Sequence, residues 1–157
     1  EFGGVEPEDF RKNSAAGPEC GDLAIGHSGA VGRTVAEADS AACDGDSGDT
    51  NPAHLDAEYA AGTRFKQRIA HGLLSAAYIS AALGTRLPGP GAVYISQTLK
   101  FLRPVHIGAT VITRVAVSAL DPARGFVTLA CQCSVAGKAV VEGEAVVMVA
   151  KREGATA

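Results

Sequence analysis

The sequence predicts an α+β fold in which an antiparallel β-sheet wraps around one central buried helix. Three observations carry that expectation. Residues 72–83, GLLSAAYISAAL, are apolar or small on every side, so as a helix they have no wet face and must be surrounded. Strand-like runs rich in β-branched residues follow at about 93–104, 110–120, 126–135 and 139–149. The last three are joined by turns so short that they must be largely antiparallel.

Taken in order, residues 1–28 carry Gly, Pro, Ser and charge with few large apolar side chains, and read as an extended or disordered N-terminal arm. A short strand is expected near 31–35. Asp39 reads as the N-cap of a short helical segment through about Cys43. The polar stretch 44–56, DGDSGDTNPAHLD, is dense in turn formers and reads as a loop, with a brief helix over 56–61 ending near Gly62. Gly84 is placed to terminate the apolar helix, and Pro88-Gly89-Pro90-Gly91 breaks the chain.

In the first run after that break, Val93, Ile95, Leu99 and Phe101 alternate with Tyr94, Ser96, Thr98 and Lys100, and Pro104 closes it. Asp121-Pro122-Ala123-Arg124-Gly125 and Ala136-Gly137-Lys138 supply the later turns. The economical packing is the hot-dog arrangement over residues 29–151, with 152–157 as a C-terminal tail. Phe126, Val140, Val146 and Met148 would lie among polar residues on the outer face, which favours a homodimer or higher homo-oligomer.

Composition removes other classes. The chain has 157 residues, 46% of them hydrophobic and 20% charged, which suits one domain with a real core. Fourteen Lys+Arg against 17 Asp+Glu, a net charge of -3, leave no dense basic face for nucleic acid. No apolar run approaches the roughly 20 residues that span a bilayer. The start of the chain also lacks the basic-then-apolar order of a secretion signal, so a cytoplasmic protein without a membrane partner is expected. Cys20, Cys43, Cys131 and Cys133 contain no C-x-x-C pair, and Cys131 and Cys133 share one strand face as small buried hydrophobes.

Chemistry concentrates in 47–56, Ser-Gly-Asp-Thr-Asn-Pro-Ala-His-Leu-Asp. Asp49 and His54, separated across a bend at Pro52, can point into one cavity and touch one water; a carboxylate and an imidazole together suit adding or removing water by acid-base catalysis. Asp, Asn and Pro are equally the residues of a plain turn, so a capping Asp49 and a satisfied loop His54 are the competing reading. The second element is Arg68-Ile69-Ala70-His71-Gly72-Leu73-Leu74, leading into the apolar helix. Free N–H groups at a helix start can bind an oxygen gaining negative charge, and Gly72 offers no Cβ to block a ligand. Plain helix initiation is the alternative, and His71 reads as a packed or capping residue. Asp44, Asp46, Asp49, His54 and Asp56 have irregular spacing that matches no metal-loop pattern, so no metal or cofactor is expected.

The S-G-D-x-N-P-x-H segment, the A-H-G-L-L helix start and the run Tyr94-Ile95-Ser96-Gln97-Thr98-Leu99-Lys100-Phe101-Leu102-Arg103-Pro104-Val105 closely resemble the MaoC-like (R)-specific enoyl-CoA hydratases. The likeness covers about residues 29–151. It implies a hot-dog dimer hydrating trans-2-enoyl-CoA to (R)-3-hydroxyacyl-CoA, with Asp49 and His54 catalytic and the Gly72 N–H on the thioester oxygen. Asn51 and Ser80 would support the pair. The chain departs from the pattern at Cys43 and Asp44-Gly45-Asp46, where relatives carry a bulky aromatic and small apolar residues, which predicts a shorter helix there.

Leu74, Tyr78 and Leu83 would line an acyl slot, and Arg64, Lys66, Arg68, Lys100 and Arg103 are candidates for the CoA phosphates. A charge at such positions is equally the mark of a solvated face. The alternatives are a hot-dog acyl-CoA thioesterase, a dehydratase acting on acyl carrier protein thioesters, and a non-catalytic thioester-binding module.

Overall fold

The computed structural model describes residues 17–151. The elements are β1 (Ser28–Thr34), α1 (Glu37–Ser47), α2 (Pro52–Leu55), α3 (Ala57–Gly62), α4 (Gly72–Thr85), β2 (Val93–Gln97), β3 (Lys100–Phe101), β4 (Thr110–Asp121), β5 (Phe126–Val135) and β6 (Lys138–Met148). The strands form one antiparallel sheet in the order β1-β4-β5-β6-β2, with β3 also paired to β6. Helix α4 packs on β4, β1 and β5, which is the hot-dog arrangement.

Period-two alternation builds the core. Val111, Val115 and Val117 of β4, Val127, Leu129, Cys131 and Cys133 of β5, and Val141, Ala145 and Val147 of β6 are all buried. They form one cluster with Tyr78, Ile79, Ala82 and Leu83 of α4. Enclosing a side chain such as Ile79 contributes about 1.5–3 kcal/mol. The four cysteines are free thiols, and burial pushes Cys131 up to about 12.

Several expectations change. Residues 17–28 are not a loose arm: Cys20 and Leu23 join the core, the Cys20 N–H donates to the Ala150 carbonyl at 3.0 Å, and Gly26 and His27 bond Val117. Residues 1–16 and 152–157 lie outside the described residues. Asp39 lies inside α1 rather than at its N-cap, which is Ala36; the Asp39 carboxylate reaches back to accept from the Ala36 N–H at 2.8 Å. Helix α1 also runs to Ser47, longer than expected, and ends where Gly48 adopts φ 73°, the left-handed conformation that glycine tolerates best.

Gly84 does not stop α4, which continues to Thr85; farther on, Gly89 at φ 98° donates to the Leu83 carbonyl. The helix is not surrounded within one chain either, since Leu73, Ala77, Ser80, Ala81 and Gly84 are exposed along one stripe. The run at 93–104 is two strands, β2 and β3. Between them the Thr98 carbonyl lies so close to Gly143 that a Cβ there would meet it at 1.8 Å. Val93, Ile95 and Phe101 of that run are exposed rather than buried. Val140, expected outside, is buried: Ala139 pairs with Ser134 and Val141 with Cys133, so Val140 is the extra residue of a bulge that resets the alternation.

Candidate active site

Asp49 and His54 are carried on a run of tight local structures. After Gly48 closes α1, the Asp49 N–H donates to Ser47 Oγ at 3.1 Å and the Asn51 N–H to Asp49 Oδ1 at 3.3 Å. Asn51 then caps α2, its side chain accepting from the Ala53 N–H at 3.0 Å, with Pro52 at the first helical position. His54 is thereby turned inward on α2, buried, while the Asp49 side chain remains 54% exposed.

The His54 ring is oriented by one hydrogen bond. Its Nδ1–H donates to the Ile69 carbonyl at 2.8 Å, since a carbonyl only accepts, and this leaves Nε2 bare in the neutral ring. Nε2 faces Asp49 Oδ2 at 3.9 Å. That gap is too long for a direct hydrogen bond, and both atoms are acceptors when Asp49 is ionised. A water molecule placed there could donate one O–H to each.

Residues 69–72 complete the site. The Ile69 N–H donates to the Ala53 carbonyl at 3.2 Å and the Ala70 N–H to the Val105 carbonyl at 2.7 Å, pinning the segment between α2 and the chain before β4. Arg68 anchors it further through an ion pair with Glu37 at 2.6 Å; the guanidinium holds the Glu37 carboxyl below its ordinary value. Gly72 is the first residue of α4, where a backbone N–H has no intrahelical acceptor. Phe101 covers it so closely that a Cβ at Gly72 would meet Cε1 at 2.9 Å.

A cavity of about 240 Å³ opens beside His54 and residues 69–72, lined by His54, His71, Gly72 and Ser75 with Phe65, Phe101, Val105 and Val141. Arg64 and Arg103 also line it. Asp49, His54 and His71 offer ligand atoms within 4.8 Å of one another. The two imidazoles lie against each other with ring centroids 3.9 Å apart and planes tilted by 32°.

The structure therefore brings together Asp49, His54, Asn51 and Gly72. Ser80 is elsewhere: eight residues beyond Gly72, about 12 Å along the helix, it sits on the exposed stripe. Ser75, one turn from Gly72 and buried, is the helix serine that lines the cavity. The i,i+3 spacing from Gly72 was the signal that identifies it. Of the cationic candidates, Arg64 and Arg103 line the cavity; Arg68 is committed to Glu37 and the Leu55 carbonyl, and Lys66 and Lys100 are exposed and do not line it. Tyr78 and Leu83 pack in the core under the sheet rather than along the cavity, whose apolar wall comes instead from Phe65, Phe101, Val105 and Val141.

Known proteins agree with this architecture. Residues 27–128, more than half of the chain, match the MaoC like domain family. An (R)-specific enoyl-CoA hydratase of Rhodospirillum rubrum is 55% identical over 131 residues, covering 83% of this chain and 91% of that protein. A 3-hydroxybutyryl-CoA dehydratase of Methylorubrum extorquens is 50% identical over 132 residues, covering 84% of each. Among solved structures, the unliganded R-hydratase PhaJ1 of Pseudomonas aeruginosa superposes with a TM-score of 0.82 at 44% identity, covering 86% of this chain and 87% of that one. With its hot-dog sheet, its central helix and this degree of identity, the chain belongs to the MaoC-like domain family.

Proposed function

We propose that the chain is an (R)-specific enoyl-CoA hydratase that adds water to trans-2-enoyl-CoA to give (R)-3-hydroxyacyl-CoA. The observation that carries this reading is the 3.9 Å gap between His54 Nε2 and Asp49 Oδ2, two acceptors facing one water-sized space. The water oxygen adds to the β-carbon, and one of its protons passes to the pair and then to the α-carbon. The other proton stays on the new hydroxyl, so one water is added and the addition is syn. The Gly72 N–H, at the positive end of α4, stabilises the thioester oxygen as it becomes an enolate. Asn51 keeps α2, and with it His54, in place. The reaction needs no metal or cofactor.

The acyl chain enters between Phe65, Phe101, Val105 and Val141, while Arg64 and Arg103 meet the CoA phosphates at the cavity. The (R) configuration follows the similar proteins, which are named (R)-specific hydratases. A second copy of the chain covers Leu73, Val93, Ile95 and Phe101, which are all close to half exposed or more, making a homodimer. Among the described residues no helix is long and apolar enough to cross a membrane. A CoA thioester substrate suits a cytoplasmic setting.

The test is a crotonyl-CoA assay that follows loss of the enoyl chromophore and, in parallel, release of free thiol. Chromophore loss without thiol supports the hydratase, whereas thiol release would make the protein a thioesterase. Coupling the product to an (R)-specific and, separately, an (S)-specific 3-hydroxyacyl-CoA dehydrogenase decides the configuration. Faster turnover of the same acyl group on acyl carrier protein would move the activity to the dehydratase reading.

A further inference from the structure

His71 is not explained by helix initiation. It stands at the N-cap of α4, yet its side chain caps no helix N–H. It is 3% exposed, and its ring lies against that of His54 with centroids 3.9 Å apart and planes tilted by 32°. Its Nε2–H donates to the main-chain carbonyl of Asp49 at 2.9 Å, across 22 residues of chain. Its Nδ1 is buried and, among the described residues, has no hydrogen-bond partner. A residue present only to fill this space would do better as a hydrocarbon, because a buried nitrogen without a partner is destabilising.

We propose that His71 is the positioning residue of the Asp49–His54 pair. This rests on the reading of that pair as the groups that activate water. Asp49 belongs to a loop, and its side chain is 54% exposed. Anchoring its carbonyl to α4 fixes the direction in which its carboxylate leaves the backbone. The stack against His54 then fixes the imidazole relative to that same anchor. The two bonds form a matched set: the Ile69 carbonyl takes the Nδ1–H of His54, and the Asp49 carbonyl takes the Nε2–H of His71. Each ring is thus held in one tautomer, and together they set a gap of one water between His54 Nε2 and Asp49 Oδ2. Misplacement by about 1 Å in such a geometry costs on the order of a hundredfold in rate.

The experiment compares His71→Gln with His71→Asn in the full chain. The glutamine amide nitrogen reaches the place of Nε2, and the asparagine amide, one methylene shorter, does not. Gln is expected to stay within about fivefold of the parental kcat, and Asn to lose about ten- to a hundredfold with KM changed less than about twofold. Equal kcat for the two variants, or a loss confined to KM, overturns the proposal. Asp49→Asn, run alongside, separates the two ideas: parental turnover in that variant sinks the pair itself, whereas its inactivity beside a fully active His71→Asn sinks only the role of His71. The unsubstituted protein gives an independent readout that requires no variant to fold. Long-range nitrogen–proton NMR correlations should show the neutral His71 ring carrying its proton on Nε2, and a neutral ring with its proton on Nδ1 overturns the assignment.

Discussion

The β4–β5–β6 meander and the 47–56 segment, a loop closed by the short helix α2, are held by opposite means. In the meander, alternate side chains enter one apolar cluster with α4, and the backbone pairs with its neighbours along most of each strand, interrupted only where the register shifts. In the loop the side chains are mostly exposed, and position is set by a few directed hydrogen bonds: Asn51 onto Ala53, His54 onto Ile69, His71 onto Asp49. Apolar burial is strong but tolerant of small shifts in side-chain placement; a hydrogen bond between an imidazole and a carbonyl is weaker and specifies direction. The fold uses the first for stability and the second to aim reactive atoms.

Paired substitutions break this comparison most visibly. Asp49→Asn and His54→Ala are each expected to lower turnover by about a hundredfold or more while leaving the urea midpoint nearly unchanged. Ile79→Ala should do the reverse, lowering stability by about 2–5 kcal/mol with near-parental turnover per folded molecule. Should Asp49→Asn prove as destabilising as Ile79→Ala, the loop would be part of the structural core after all. Gly72→Ala tests the seam where the two regions meet. The added methyl would meet Phe101 at 2.9 Å, so the ring or the helix start has to shift, and a loss of about tenfold in kcat is expected from steady-state kinetics.

A third region sharpens the contrast, because β2 has the alternation of a buried strand but lies exposed at the sheet edge. Ile95→Glu is expected to leave each protomer folded by circular dichroism and to convert a dimer to a monomer in sedimentation at micromolar concentration. A parental protein that is already monomeric there would remove the second copy from the account.

The smallest effect belongs to the exposed Glu37–Arg68 pair that braces residues 68–70. The Glu37 carboxyl is lowered by its hydrogen bond to Arg68, so its contribution is present above the ordinary carboxylate range and disappears as pH falls through the lowered value. Glu37→Gln should therefore melt slightly below the parent at pH 7, and the two melting curves should approach each other as the pH falls below the ordinary carboxylate range. A difference that grows on acidification would contradict the assigned pair.

Much of the site was legible in the chain because it is local. Asp49, Asn51 and His54 lie within six consecutive residues whose capping and turn preferences alone bring them near one another, and Gly72 is marked by the helix it starts. Ser75 and His71 were not read that way. Which helix residues face the cavity depends on how α4 sits on the sheet, and the value of His71 lies in a bond to a residue 22 positions away.

The sequence by itself determined the antiparallel meander and the central helix, since period-two alternation and an all-apolar helical segment each leave few ways to bury their surface. Only the tertiary structure decided that β2 and β3 are separate strands, that Val140 turns inward, and that a stripe of α4 stays exposed. A close approach of Thr98 to Gly143, a bulge opposite Ser134 and the limited reach of one sheet around one helix are contacts between distant segments, and local residue preferences carry no record of them.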